Sequence, residues 1–142
     1  MRYELRLIDK VKDLACSIVN ASSEGNTKDY WNSYQELNDL CSDNENGGLN
    51  HPFQWETLAD FTTDDAASIS LYEKAFALAE DMQLNDYMSS IKFALAERYL
   101  ELGLESLVYS SARQANEHAA KIDDLELRKE ISEFLLNEQS ST

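Results

Sequence analysis

The sequence predicts an all-α fold of stacked antiparallel helical hairpins, with about seven helices. Apolar residues recur at intervals of three and four along most of the chain, which is the spacing of one face of a helix. The 142 residues include only four glycines and one proline. Turn-rich β architectures need such residues about every ten positions, so the composition argues against them. A chain of this length is expected to form one domain, residues 1–142.

Three of the first four predicted helices are marked by a stripe of apolar residues. The first is expected over about residues 3–21, and Pro52 suits the first turn of a short third helix, where a missing N–H is tolerated. Residues 42–50 (SDNENGGLN) predict a loop because they are rich in turn-forming residues. Residues 62–65 (TTDD) predict the N-cap of the fourth helix. The stripes of helices one, two and four are Leu7, Val11, Leu14 and Ile18; Tyr30, Tyr34, Leu37 and Cys41; and Ile69, Tyr72, Phe76 and Ala79.

Three further helices are predicted in the second half of the chain. Asn85 is expected to cap the fifth helix, and Gly103 is expected to end it in a left-handed conformation. Asp123, with Glu126 three residues later, matches a capping box at the start of the seventh helix. Residues 139–142 are expected to fray. The stripes are Met88, Ile91, Leu95, Tyr99 and Leu102; Leu107, Val108, Ala112, Ala115 and Ala119; and Leu127, Ile131, Phe134 and Leu135.

An internal alignment relates the helices to one another. Tyr34, Tyr72 and Ala112 can be set in register at spacings of 38 and 40 residues, and three positions further on stand Leu37, Ala75 and Ala115. A small residue lets a neighbouring helix approach closely, and a ring one turn earlier fills the space beside it. Tyr72 and Ala75 are therefore predicted to be packing positions between helices, with one helical hairpin per period.

Two segments resemble a known helical repeat. SLYEKAFALAE, which begins at Ser70, places a ring at Tyr72 and a small residue at Ala75. ALAERYLELGLESL, which begins at Ala94, places Ala96, Tyr99 and Gly103 at a small, a ring and a turn position. These segments resemble the second helix, and the first helix with its turn, of tetratricopeptide-type repeats. The resemblance implies a helical-repeat fold, although the period exceeds the family's 34 residues and its closing proline is absent.

Two other segments resemble a set of small bacterial proteins with this type of fold. They are HPFQWETLADFT, residues 51–62, and KIDDLELRKEISEFLL, residues 121–136. Some of those proteins are associated with polymorphic-toxin loci, where a small acidic protein neutralises a toxin domain. For this chain, the resemblance implies an immunity protein whose partner is a toxin domain.

The sequence offers little for catalysis or for a metal. His51 and His118 lie far apart without a metal-ligand spacing, and the four glycines form no phosphate-binding loop. There is no GxSxG motif, and neither cysteine has a histidine nearby in the sequence. We therefore expect no enzyme activity, no cofactor and no metal. Cys16 and Cys41 lie among apolar neighbours, which predicts two buried thiols in a reducing compartment and leaves a disulfide open.

The chain is strongly acidic, with 12 basic and 27 acidic residues and a net charge of -15 at pH 7. Nucleic-acid backbones and anionic lipids are bound through lysine and arginine, so both are unfavourable partners. A basic protein is the favoured partner, while acidity that serves only solubility stays an alternative. There is no run of 18 apolar residues and no signal-like apolar segment at the start, so we expect a cytoplasmic protein without a membrane span.

The acidic excess concentrates in residues 23–66, where ten carboxylates accompany one basic residue, Lys28. In the second helix, five polar residues spaced by three or four form one stripe on the face opposite the apolar stripe. An exposed Trp31 or Trp55 among these carboxylates would resemble a hot spot for lysine or arginine, whereas the simpler interpretation is a solvated acidic face over an aromatic core. The stripe consists of Asp29, Asn32, Glu36, Asp39 and Asp43. The candidate partner-binding residues are Asp29, Trp31, Glu36, Asp39, Asp43, Glu45, Glu56 and Asp60.

Together these observations predict a protein-binding module. The favoured hypothesis is an immunity protein whose acidic face covers a basic surface of a toxin domain, such as a nuclease, with electrostatic steering of association. The alternative is a helical-repeat chaperone or adaptor that holds a peptide segment of a secreted or regulatory partner. A chaperone would present an apolar groove, and an enzyme would present a closed pocket with perturbed titratable groups.

Overall fold

The structure is a computed structural model that describes the backbone of residues 2–140 and the side chains of residues 4–137. These residues form seven α-helices and no strand, which confirms the predicted all-α class. The helices are α1 (Arg2–Ser23), α2 (Thr27–Gly47), α3 (Pro52–Asp60), α4 (Asp65–Asp81), α5 (Asn85–Glu101), α6 (Glu105–Ala119) and α7 (Leu125–Ser140). The chain groups into two compact units, Met1–Ala75 and Phe76–Thr142, and the division falls within α4. That residues 1–142 fold as one domain stays a prediction.

The first unit is built around the apolar face of α1. All four predicted stripe residues of this helix are buried, and α1 packs against α2 and α3. Leu37 and Cys41 of α2 are fully buried, as are Leu58 and Ala59 of α3. The three-and-four spacing therefore predicted the core face of α1 correctly.

His51 connects the start of α3 to α1. Its Nδ1 atom accepts a hydrogen bond from the backbone N–H of Phe53 at 3.1 Å, which caps α3, and Pro52 follows in the first turn as predicted. Its Nε2 atom lies 3.2 Å from Oε1 of Glu4. Because Nδ1 accepts, the ring proton sits on Nε2 and is donated to the Glu4 carboxylate. His51 is thus a buried capping residue that fixes the entry into α3.

The second unit contains the α5–α6 hairpin and α7, which packs on α6. Ala115, Ala119 and Ile131 form a fully buried cluster, against which Phe93, Leu127 and Leu135 pack. The Phe93 and Phe134 rings meet edge to face at 5.4 Å between centroids. The core of this unit is made by small residues on α6 and large residues on the helices around them.

Ala75 and Ala115, the two small residues three positions after the aligned rings, are fully buried. Ala112, which stands in register with the rings, is fully buried too, and Tyr72 is 3% exposed. The hydroxyl of Ser89 on α5 donates to the backbone carbonyl of Ala115 on α6 at 2.8 Å, so a side chain as short as serine spans the two helices. The two helices are therefore close together at position 115, where a small side chain such as alanine fits.

One turn geometry ends α1, α4 and α5. In each case the second residue after the helix has a positive φ: 71° at Gly25, 56° at Gln83 and 72° at Gly103. The next residue donates its backbone N–H to the carbonyl five positions earlier, at 2.8, 2.9 and 3.0 Å respectively. This is the Schellman pattern, and it confirms the predicted role of Gly103. Connections of three residues then lead directly into the next helix.

Gln83→Gly is expected to raise the free energy of unfolding by about 0.5–1 kcal/mol. An L-residue in the left-handed region is strained by roughly 1–2 kcal/mol, and the greater entropy of glycine in the unfolded chain offsets part of the gain. Denaturant unfolding measures the change. The matched control is Gly103→Ala, which places a Cβ in the same conformation with no atom near it and should be destabilising. Two changes of the same sign would contradict this account of the turn.

The predicted loop at residues 42–50 is too long. α2 continues through Gly47, so that residues 42–47 are helical and only residues 48–51 connect it to α3. Asn44 donates from Nδ2 to Oε1 of Gln54 at 3.0 Å, and Glu45 forms an ion pair with Lys74. These contacts to α3 and α4 offset the weak helix propensity of the SDNENG segment.

The predicted caps are right at one helix and wrong at two. Asp64 accepts from the N–H of Ala67 at 2.9 Å and caps α4, within the predicted residues 62–65. Asn85 is the first residue of α5, because Leu84 both closes the turn after α4 and occupies the N-cap. Asp124, one residue later than predicted, accepts from the N–H of Leu127 at 3.0 Å and caps α7. Of the residues 139–142 expected to fray, the backbone is helical through Ser140, and residues 141–142 lie outside the described residues.

Candidate binding surface

The acidic stripe of α2, defined as Asp29, Glu36, Asp39 and Asp43, is exposed along its whole length. All four carboxylates belong to one continuous helix, and Asn32 fills the remaining position of the stripe. At a rise of 1.5 Å per residue, the stripe extends over roughly 21 Å. The structure therefore brings these four predicted residues onto a single face.

The opposite side of α2 is held firmly in the first unit. The Tyr30 hydroxyl donates to the backbone carbonyl of Phe61 at 2.8 Å, and burial together with the neighbouring Tyr34 raises the pKa of Tyr30. The Tyr34 and Thr62 hydroxyls lie 2.8 Å apart. The stripe is thus presented by a helix that is fixed through both its apolar and its phenolic side chains.

Little within the first unit neutralises the stripe. Asp29 accepts from Nδ2 of Asn26 at 2.7 Å and Asp39 accepts from Nε2 of Gln35 at 3.0 Å, but these are neutral donors. Among the described residues, no lysine or arginine forms an ion pair with any carboxylate of the stripe. Glu36 lines an open groove of about 480 Å³ together with Arg6, Asp9, Lys10, Asp13, Leu14 and Ser17 of α1.

Trp31 is exposed but does not lie on the stripe. Its indole is 51% exposed and meets the rings of Tyr30 and Tyr34 edge to face, at 5.5 and 5.6 Å between centroids. At 3.6 residues per turn, Trp31 is rotated by roughly 80–160° around α2 from the four carboxylates. Trp31 therefore cannot form an aromatic hot spot within the acidic stripe, because it lies on a different face of α2.

The other three candidate residues are engaged elsewhere in the first unit. Glu45 forms the ion pair with Lys74, and Asp60 accepts a hydrogen bond from the Tyr72 hydroxyl. Glu56 is only 7% exposed, since nearly every residue of α3 is buried. Glu56 is therefore withdrawn from the open acidic surface, whereas Glu45 and Asp60 remain exposed although each has a partner.

A polar network beside Lys74 was not foreseen from the sequence. The Lys74 ammonium lies 4.1 Å from the centroid of the Trp55 ring. Trp55 is only 5% exposed, so the cation that contacts its ring is a residue of the same unit. The Trp55 Nε1–H and the Gln54 Nε2–H both donate to Oδ1 of Asn50, at 2.6 and 2.9 Å. The only sequence feature that could have indicated this network is the segment NHPFQW, residues 50–55, in which polar and aromatic residues alternate immediately after a turn.

The two cysteines differ in their surroundings, and neither forms a disulfide. Cys41 is fully buried and donates from Sγ to the backbone carbonyl of Gln54 at 3.3 Å. Burial raises the pKa of the Cys41 thiol to about 12; the nearby Lys74 lowers it and Glu45 raises it by smaller amounts. Cys41 is therefore a protonated thiol at neutral pH. Cys16 is exposed, so the prediction that both thiols are buried is wrong for Cys16. It occupies a position of α1 outside the stripe that faces the core.

The second unit holds a mixed polar and aromatic cluster around His118. Nδ1 of His118 lies 3.3 Å from Oδ1 of Asn85, and its ring meets that of Phe76 at 5.9 Å. The Lys92 ammonium lies 4.3 Å from the Phe76 centroid. Burial lowers the pKa of His118, and Lys121 and Lys92 act in the same direction against Glu117 and Glu80. Within the described part of the chain, no group of three or more His, Cys, Asp or Glu residues is arranged to hold a metal ion.

No protein-family model, curated protein or solved structure matches this chain. The likeness to tetratricopeptide-type repeats and to small immunity proteins therefore stays a hypothesis drawn from the sequence. Across the residues that the structure describes, no helix is both long and apolar enough to cross a membrane.

Proposed function

We propose that this chain is a protein-binding module that engages a basic surface of a partner through the acidic stripe of α2. The observation that supports it is the set of four exposed carboxylates on one helix face, without an ion pair from a described residue. Like charges at this spacing repel each other by a few tenths of a kcal/mol per pair. A cationic partner relieves that repulsion. The repulsion among the carboxylates of the free chain therefore favours formation of the complex.

The mechanism of such binding is electrostatic steering onto a fixed surface. Because Tyr30 and Tyr34 anchor the other side of α2, the carboxylates need little reordering when a partner arrives. The stripe is roughly 21 Å long, which is more than twice the Debye length of about 8 Å at physiological salt. Such a row of like charges raises the rate of encounter with a cationic partner more than it raises the final affinity. Binding is therefore expected to be fast and sensitive to salt.

The specific form that we propose is a cytoplasmic immunity protein, which neutralises a cognate toxin domain by covering a basic surface or active-site cleft. A nuclease is a fitting target, since such a cleft must itself attract phosphate through lysine and arginine. The net charge of -15 and the sequence resemblance of residues 51–62 and 121–136 support this form. Steric occlusion then requires no catalytic group in this chain.

The test is a double charge reversal, Glu36→Lys with Asp39→Lys. The protein encoded beside the gene for this chain is purified as the candidate partner, and association is followed by stopped flow at low and at near-physiological salt. The variant should associate about tenfold or more slowly at low salt and show a flatter salt dependence. Its stability should change by no more than about 0.5 kcal/mol, because the substituted positions are exposed.

The matched control is Asp123→Lys with Glu130→Lys, which makes the same change in net charge at exposed positions of the second unit. Equal slowing in both variants would mean that total charge, and not the stripe, sets the rate. An α2 variant with the wild-type rate and salt slope would remove the stripe from the interface. The immunity role is tested separately: co-expression of this chain should restore growth to cells that produce the neighbouring protein, and an absence of toxicity would refute that role alone.

A further inference from the structure

His118 is half-buried in the last turn of α6, where it contacts two other helices of the second unit. Its ring meets that of Phe76 on α4 at 5.9 Å between centroids. Its Nδ1 atom lies 3.3 Å from Oδ1 of Asn85, the first residue of α5. His118 therefore joins the end of α6 to the start of α5 and to the part of α4 that belongs to the second unit.

The hydrogen bond to Asn85 determines which ring nitrogen of His118 can take a proton. The amide oxygen of Asn85 only accepts, so Nδ1 of the neutral ring carries the hydrogen and donates it. Nε2 is then the atom at which the ring becomes charged when the pH falls. Because the bond to Asn85 is compatible with both forms of the ring, any effect of the proton comes from the charge itself.

The surroundings of His118 oppose that charge. Burial disfavours the charged form, and Lys121 and Lys92 act in the same direction. Glu117 and Glu80 act in the opposite direction without cancelling these effects, so the pKa of His118 lies below its ordinary value. A histidine in the last turn of a helix is otherwise favoured in its charged form by the helix dipole, so burial and the lysines reverse the usual preference.

The Phe76 ring already contacts one cation. The Lys92 ammonium lies 4.3 Å from the centroid of this ring, which is the geometry of a favourable cation–π contact. A positive charge on His118, whose ring meets the same Phe76 ring, would repel that ammonium. The repulsion arises at the contacts that hold Phe76, so protonation is expected to weaken the attachment of α4.

We propose that His118 is a proton-sensitive contact, which holds residues 76–81 of α4 to the α5–α6 hairpin while it is neutral and loosens them when Nε2 takes a proton. Residues 65–75 of α4 belong to the first unit and residues 76–81 to the second, so the chain passes from one unit to the other within this helix. Acidification thus acts on the helix that both units share. This property is independent of the acidic stripe of α2 and of its partner.

The direction of the pH dependence follows from the folded and unfolded states. In the unfolded chain His118 has the ordinary pKa of 6.5, and in the folded chain its pKa is lower. The unfolded state therefore binds the proton first as the pH falls. The stability that neutral His118 contributes is complete above about pH 6.5 and is lost progressively below that value.

The first test compares the wild-type chain with His118→Gln, whose amide can form a hydrogen bond but cannot take a proton in this range. Denaturant midpoints are measured from about pH 7.5 to about pH 5.5. The wild-type midpoint should fall more than that of the variant, because both chains contain His51 and the same carboxylates and differ only at position 118. A wild-type fall equal to or smaller than that of the variant would overturn the proposal.

A second measurement does not require the His118→Gln variant to fold. In an NMR titration of the histidine ring protons, the pKa of His118 should lie below 6.5, and Lys92→Gln should raise it. The matched control is Lys129→Gln, which removes an exposed lysine of α7 that pairs with Glu133 and should leave the pKa of His118 unchanged. A His118 pKa of 6.5 or above, or equal shifts in the two lysine variants, would refute the proposal.

Hydrogen exchange then locates the effect along the chain. After correction for the intrinsic exchange rate, the protection of residues 76–81 in the wild-type chain should be lower at about pH 5.5 than at about pH 7.5, with little change in α1. His118→Gln should show no such difference between the two pH values. If protection falls uniformly in all helices, or falls equally in residues 76–81 of the variant, the proton acts elsewhere and the proposal is wrong.

Discussion

Replacing Ala115 with leucine is expected to lower the free energy of unfolding by about 1–3 kcal/mol. Ala115 is fully buried, it packs with Ala119 and Ile131, and its carbonyl accepts the hydrogen bond from Ser89 at 2.8 Å. Leucine adds three carbon atoms at this fully buried position, so the side chains and helices packed around it would have to shift to make room. Denaturant unfolding at a fixed temperature measures the loss.

The control for this change is Ala77→Leu, the same substitution at an exposed position of α4. Leucine has nearly the helix propensity of alanine, so the control should shift stability by no more than about 0.5 kcal/mol. If Ala115→Leu unfolds at the midpoint of the wild-type chain, position 115 is not a close-approach site and the internal alignment loses its physical basis.

Gln54→Leu is the second substitution with a large expected effect, a loss of about 1–3 kcal/mol. The Gln54 side chain is fully buried, accepts from Asn44 at 3.0 Å and donates to Asn50 at 2.9 Å. Leucine keeps most of the volume but removes both hydrogen bonds, and it leaves the partly buried amide of Asn44 without its acceptor. Thermal or denaturant unfolding gives the change.

Gln35→Leu tests whether that loss arises from burial. Gln35 is exposed on α2 and makes one hydrogen bond to Asp39, so its replacement should change stability by about 0.5 kcal/mol or less. The network around Gln54 also holds the end of α2, so Gln54→Leu should reduce amide-exchange protection in residues 42–47 more than in α1. Uniform loss of protection across the first unit would argue against that local role.

The sequence was sufficient wherever one helix determined the outcome by itself. Residues three and four apart share a helix face, whatever lies around them. For this reason the apolar stripe of α1 is buried and the acidic stripe of α2 is exposed. The positive φ at Gly103 followed in the same way from the position of a glycine after an apolar stripe. These predictions required only local geometry.

The sequence was insufficient where the outcome depended on a residue far along the chain. The extension of α2 relies on Gln54 and Lys74, which lie ten and 29 residues from their partners Asn44 and Glu45. The burial of Glu56 follows from the packing of almost all of α3, which no periodicity in a nine-residue helix reveals. The four carboxylates of α2 therefore share an exposed face as predicted, and Glu56 is buried; that these residues bind a partner stays a prediction.

The order in which helices meet also has a consequence for the speed of folding. The packed helix pairs within the two units join elements that are adjacent or nearly adjacent in the sequence. These pairs are α1 with α2 and α3, α2 with α3, α5 with α6, and α6 with α7. Closing such contacts requires only short loops, and helical proteins of this kind fold in microseconds to milliseconds. We therefore expect fast folding, which would shorten the exposure of apolar side chains that promotes aggregation in slower-folding proteins.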